Sequence, residues 1–243
     1  LNKTADPMAD PLSPRWSLVL LLLSPGIAWI VNSITNQNYG IDKLDSIIAD
    51  SIAEWQSNPS YSFSPTEGLI KGDPTTAKMV IVEFADFLCP HCKIASPVLE
   101  QFAENNPKDV ALIFKVFPLD GNCNSALQQK GNGLRCKLAG LAFCSQSQNQ
   151  KGWTAHHWIF DGQEKLSQTR DLNAELKEFS KSENLSFDEI LNCINSDQIQ
   201  EKVLKMAAEG GQAKIHGTPA IFANGKELPR GQALPILNAA LKS

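Results

Sequence analysis

Cys89 and Cys92 enclose Pro90 and His91. Two cysteines at this spacing, one helical turn apart, can close an intramolecular disulfide and reopen it by exchange with another thiol. The reactive form is the thiolate, so the chemistry depends on what stabilises negative charge on sulfur. Met79 to Ala85 reads MVIVEFA, a short apolar, β-branched run with the character of a buried strand. Lys93 to Asn105 follows the cysteines, with Ile94, Val98, Leu99 and Phe102 spaced as one helical face. Cys89 therefore falls at the start of a helix that opens near Pro90. Unpaired backbone N–H groups and the positive end of the helix dipole favour an anion there. Pro90 suits a first helical turn, because its missing N–H would have had no partner. His91 adds a further donor, or a positive charge, beside the sulfur. These effects lower the pKa of Cys89 and make its disulfide a stronger oxidant. Cys92 is expected to be the less exposed sulfur.

The same spacing also occurs in zinc sites, which need two further ligands. Cys123 and Cys136 form no second C-x-x-C, and His156 and His157 are adjacent in a helical pattern, which aims their rings in different directions. No metal is expected at the motif. No cofactor is expected either, since a cysteine pair carries its own two electrons.

The rest of the chain reads as the frame for this motif. Val110–Phe117 is a second buried strand. Helical patterns follow at Leu134–Ser145, Thr154–Phe160, Leu172–Lys181, Phe187–Asn195 and Gln198–Ala213. Strand signals return at Ala220–Ala223 and around Glu227–Leu228, with Asn224-Gly225 as a hairpin turn between them. Ala233–Leu241 closes the chain as a helix. Strand–helix–strand, a helical block, then hairpin and helix is the arrangement of a thioredoxin fold with an insertion. The expected fold class is α/β, with one domain over 63–243 and the helical insertion at about 122–213. Residues 35–62 read as a linker and an amphipathic helix, with Leu44, Ile47, Ile48, Ile52 and Trp55 on one face.

Against this frame the motif becomes specific. Glu83-Phe-Ala-Asp-Phe-Leu-Cys-Pro-His-Cys92 resembles the active-site segment of the DsbA family of thiol oxidases, and Gly217-Thr218-Pro219-Ala220 resembles that family's cis-proline loop. The resemblance covers about Gly68 to Leu241 and extends to domains fused to vitamin K epoxide reductase homologues. It implies that Pro219 is cis and faces the cysteine pair, and that Thr218 presents backbone to a bound substrate. It places Glu83 at the position of a buried acid that would relay protons to or from Cys92; an ordinary satisfied strand glutamate is the alternative.

Four cysteines remain. Cys136 and Cys144 share one helix, about two turns apart, too far to bridge. The preferred pairing is Cys123–Cys136 and Cys144–Cys193. Both pairs read as structural staples; a relay role for Cys123–Cys136 as a second redox pair is the rival reading. Six cysteines are many for a reducing compartment.

Trp16 to Ile34 carries no charged residue and is near the lower end of the roughly 17–25 residues that span a bilayer. Lys3 and Arg15 precede it, and no Lys or Arg follows until Lys43. The positive-inside tendency then places residues 1–15 in the cytoplasm, residues 16–34 across the inner membrane as a single anchor, and the rest in the periplasm. A cleaved signal peptide is the competing reading. Net charge is -4 with no basic cluster, which argues against a nucleic-acid partner.

The function expected is a thiol–disulfide oxidoreductase, an oxidase that gives disulfides to exported proteins bearing free thiols. A membrane quinone-linked reductase of the DsbB or vitamin K epoxide reductase type would reoxidise it. A membrane-tethered reductase or isomerase is the second hypothesis. The third is a non-catalytic thioredoxin-fold chaperone that holds unfolded peptide on Phe84, Phe87 and Leu88.

Overall fold

Seven consecutive residues of Met79–Ala85 are apolar except Glu83, and all but Val80 are buried. Such a run needs cover on both faces, which only a central strand receives. In the computed structural model, which describes residues 42–243, this segment is β2, at the middle of a five-stranded sheet. The sheet order is β1-β3-β2-β4-β5, with β1 at Leu69–Lys71, β3 at Val110–Val116, β4 at Ala220–Ala223 and β5 at Lys226–Glu227. β2 and β3 run parallel, from Met79 beside Val110 to Ala85 beside Val116. β1 pairs antiparallel with β3, and β4 antiparallel with β2. A parallel pair needs a crossover. Here that crossover is helix α2, Pro90–Asn105, which follows β2 and returns the chain to β3.

The helices before and after this unit complete the α/β frame. α1 covers residues 42–57. Its second half is tied to the hairpin end of the sheet: the Trp55 indole donates to Ala223 O at 3.0 Å, and Asn58 to Glu227 O at 2.9 Å. Between β3 and β4 lie α3 (Leu134–Ser147), α4 (Gly152–Asp161), α5 (Gln163–Gln168), α6 (Leu172–Ser182), α7 (Phe187–Ile194) and α8 (Asp197–Gln212); α9, Leu234–Lys242, ends the chain. Residues 51–243 make up one compact unit. Asp171, Ser186 and Ser196 cap α6, α7 and α8 with their side chains. One apolar cluster joins Phe114 and Val116 of the sheet to Leu138, Leu141 and Phe143 of α3 and to Ile159 and Phe160 of α4. α3 and α4 therefore pack on one face of the sheet, while α8 also reaches the other, where Ala207 joins Val82, Phe84 and Ile113.

The elements read from the periodicity lie within one or two residues of the observed ones, with informative exceptions. β1 is absent from the reading because three residues carry no period. Gly68 and Gly72 bracket it at positive φ, and a Cβ on Gly68 would stand 2.6 Å from Phe114 O. α5 is absent because its six residues are mostly polar. On α2, Ile94 is 66% exposed rather than on the buried face. The face that packs is Cys92, Ala95, Ser96, Leu99, Phe102 and Ala103. Small and polar residues complete it, and an apolar template misses them. The proposed anchor at 16–34 lies outside the described residues. Among the described residues, no helix is long and apolar enough to cross a membrane.

Disulfides join Cys123 to Cys136 and Cys144 to Cys193. The second ties α3 to α7 across 49 residues of chain. Closing so long a loop restricts the unfolded chain strongly. Replacing Cys144 and Cys193 together by alanine is expected to lower the unfolding free energy by about 2–4 kcal/mol, as read by urea denaturation.

Candidate active site

Cys89 is the N-cap of α2, with φ -87° and ψ 119°, and Pro90 occupies the first helical turn. No acidic residue of the helix itself lies in that turn to offset its positive end. The backbone N–H groups of His91 and Cys92 face the Cys89 sulfur, and the Cys92 thiol donates to it. The Cys92 hydrogen bond is the largest effect on Cys89, and together these donors bring its pKa down from 9.0 to about 5 against the opposing effect of burial. Cys92 sits one turn deeper, fully buried. Burial first, then its bond to Cys89 and the nearby Glu83 carboxyl, push its thiol upward. The two sulfurs thus differ sharply although only two residues separate them. His91 is exposed at the surface.

The loop that presents Cys89 is fastened from both sides. Asp86 is buried and accepts from Leu88 N at 2.7 Å and from Leu119 N at 2.6 Å, and it pairs with Arg135 of α3. From the helical block, Gln163 of α5 donates to Phe87 O at 2.8 Å and to Cys89 O at 3.0 Å. Neither Asp86, Arg135 nor Gln163 stands out in the sequence, because their partners come from distant parts of the chain. Phe84 and Phe87 are not a peptide-holding surface: Phe84 packs with Phe63, Phe117 and Phe222, and Phe87 with Phe114 and Phe160. Every residue from Ile81 to Phe87 is buried, so proximity to the motif in sequence places them in the core.

Thr218-Pro219 is a cis peptide bond and opens β4. Because β4 pairs with β2, the bond lies beside the cysteine pair. The Cys89 thiol donates to Thr218 O at 3.2 Å. The Thr218 hydroxyl is buried and bonds no other group among the described residues, so it is free to donate to the Cys89 sulfur, which favours the thiolate.

Residues 80–242 match the model of the family described as the DSBA-like thioredoxin domain. The chain belongs to the DSBA-like thioredoxin domain family. It is 26% identical over 178 residues to the probable disulfide bond formation protein D of Bacillus anthracis, covering 70% of this chain and 75% of that protein. Its fold is similar to that of oxidised BdbD from Bacillus subtilis, with a TM-score of 0.62 at 18% identity over 76% of this chain and 96% of the other. Alpha-DsbA1 of Wolbachia pipientis has a TM-score of 0.53 at 22% identity, over 67% and 76%. The chain is a DsbA-like protein disulfide oxidoreductase.

Behind the cysteines of this DsbA-like domain lies a buried polar chain. Glu83 is buried on β2, between Phe114 of β3 and Ile221 of β4. The Ser96 hydroxyl lies 2.9 and 3.0 Å from its two oxygens. Burial raises the Glu83 pKa from 4.5 to about 8, against the Ser96 bond, with Glu100 and Cys89 adding to the rise. Ser96 Oγ in turn lies 3.3 Å from His156 Nε2 on α4. His156 is enclosed by Phe114, Trp153 and Phe160, and burial holds it neutral. The rings of His156 and His157 do not diverge as adjacency on a helix would have them. Both approach Glu100 of α2, because Nδ1 of the first and Nε2 of the second reach the same carboxylate. Neither Ser96 nor His156 is legible as part of the site in the sequence, since a serine in a helix and a histidine in an apolar stretch carry no motif.

Two measurements check this electrostatic picture. Ultraviolet titration of the reduced chain is expected to show one thiolate forming near pH 5, and Thr218→Val is expected to move that step upward. The depressed Cys89 value stabilises the reduced fold fully above pH 9 and loses that stabilisation as pH falls to about 5, so the reduced-minus-oxidised stability should rise across this window. Glu83 has the opposite sign: its raised value costs stability as pH climbs from 4.5 through about 8. Glu83→Gln is therefore expected to stabilise the fold at pH 7, by on the order of 2 kcal/mol, measured by denaturant unfolding.

Proposed function

We propose that this chain is an oxidase that transfers its Cys89–Cys92 disulfide to exported proteins. The observation that carries this reading is the asymmetry of the two sulfurs: Cys89 favoured as thiolate, Cys92 buried and held as thiol. A substrate thiolate attacks Sγ of Cys89, and the Cys89–Cys92 bond breaks with Cys92 as leaving group. Cys92 takes up a proton, for which Glu83 is the nearby buried acid. The substrate's second thiolate then attacks its own sulfur in the mixed disulfide. Cys89 leaves as the thiolate that the helix N-terminus stabilises. The substrate has lost two electrons, and the cysteine pair holds them.

Each residue has a distinct part in this scheme. Pro90 and His91 shape the turn whose N–H groups face the sulfur. Thr218 and cis Pro219 lie beside Cys89, where the Thr218 backbone can align an extended substrate strand. Cys123–Cys136 and Cys144–Cys193 act as staples: Cys123 is buried in a loop organised by Asp120, which accepts from Asn122 N, Gly131 N and Gly133 N.

The electrons must pass to an acceptor before a second turnover. A membrane quinone-linked reductase of the DsbB or vitamin K epoxide reductase type fits that need, and an anchor at residues 16–34 would keep the domain beside it. That anchor, with residues 1–15 inside, puts the catalytic domain in the periplasm. The charge-free sequence from Trp16 to Ile34 supports this topology.

The reduction potential of the Cys89–Cys92 pair, measured against a glutathione series, tests the direction of transfer. A stabilised thiolate favours the reduced state, so a value near -120 mV is expected, about that of a strong periplasmic oxidant. A value near -270 mV, that of thioredoxin, would reject the oxidase and favour a reductase. Cys89→Ser is expected to abolish oxidation of a reduced test protein; an unchanged rate would place the activity elsewhere.

A further inference from the structure

We propose that Glu100, His156 and His157 form a binding site for a divalent transition-metal ion of the Zn2+ class, on the flank of the redox domain. One ligand atom from each of the three lies within 4.8 Å of the other two. Glu100 comes from α2 and both histidines from α4, so the site is built across two packed helices. It opens on a groove of about 580 Å³ that also includes Gln101 and Asp161.

The second observation is at His156. Its ring is almost fully buried, and its Nδ1 has no hydrogen-bond partner among the described residues. That atom faces Glu100 Oε1 at 3.6 Å, beyond hydrogen-bond reach. A buried nitrogen left in this state is costly unless something lies between it and the carboxylate. Two donor atoms each about 2.0–2.2 Å from a tetrahedral zinc ion stand about 3.3–3.6 Å apart. The existing gap therefore fits a shared metal ion. His157 Nε2 lies 3.1 Å from the same Oε1 and 2.8 Å from Oε2, so sharing an ion on Oε1 requires it to retreat by about 0.2–0.5 Å.

The rest of the surroundings suit the same ion. Imidazole and carboxylate together favour zinc-like metals over Mg2+ or Ca2+, which take oxygen ligands. A metal-bound histidine usually has its other ring nitrogen fixed by a hydrogen bond. His156 Nε2 has that partner in Ser96 Oγ. Three protein ligands leave a fourth position for water from the groove. Lys71 is the competing cation, 3.2 Å from Glu100 Oε2. It keeps other partners when displaced, with Glu104 at 2.6 Å and the Trp153 ring 4.9 Å away.

Calorimetric titration of the full oxidised chain with ZnCl2 tests the site. The oxidised form removes Cys89 and Cys92 as alternative thiolate ligands. One Zn2+ per chain is expected, with Co2+ giving the visible absorption of a tetrahedral site. His157→Ala and Glu100→Gln, both at the groove, are each expected to weaken Zn2+ more than about ten-fold, while Lys71→Met tightens it. Circular dichroism checks that each variant is folded. No binding by the oxidised chain, or binding that neither His157→Ala nor Glu100→Gln changes, overturns the proposal.

Discussion

The structure depends on placing one sulfur where negative charge is welcome and the other where it is not. Cys89 meets the amide groups of an opening helix, the Cys92 thiol and the Thr218 side chain. Cys92, one turn on, meets apolar side chains and the Glu83 carboxyl. A shared backbone holds the two sulfurs together, so their difference cannot come from sequence spacing. It comes from sealing Cys92 completely on the packed face of α2, while Cys89, the N-cap, lies beside the free amide groups of the helix start.

Several layers maintain that position. The parallel pairing of β2 with β3 fixes the end of β2, and α2 starts from that end. Asp86 and Gln163 pin the intervening residues from opposite sides. The antiparallel β4 brings Thr218 and cis Pro219 to the same place from more than a hundred residues away. The helical block is therefore more than an insertion between two halves of a fold. It supplies the Gln163 clamp, and it covers Glu83 and Ser96 with His156 and the rings around it.

That cover has an electrostatic consequence. Polar groups inside a low-dielectric interior act strongly on one another. Glu83, Ser96 and His156 form a line of contacts that starts beside Cys92 and ends at Glu100, close to solvent. Lys115, another buried polar residue on the sheet, is compensated differently, by an ion pair with Glu209 of α8 at 2.6 Å. The sheet thus buries one acid without a counter-charge and one base with it, and only the former lies next to the cysteines.

Much of the architecture was legible because it follows from local periodicity. The run Met79–Ala85, the C-P-H-C motif opening a helix, the Asn224-Gly225 turn and the helical patterns of the block each encode their own element. Both residues of that turn take positive φ, as Asn-Gly prefers. The sequence alone also set the chemical options, since a cysteine pair at a helix start is redox-competent wherever it is folded. Tertiary structure decided what has no local signature. The three-residue β1 exists only because β3 offers it an edge, and Ile94 is exposed because small and polar residues fill the packed face of α2. Phe84 and Phe87 turned inward, and His156 met both Ser96 and Glu100. The depth of each sulfur and the partners of each buried polar group depend on residues far apart in the chain. Physical neighbourhood, not order along the backbone, sets desolvation and hydrogen bonding.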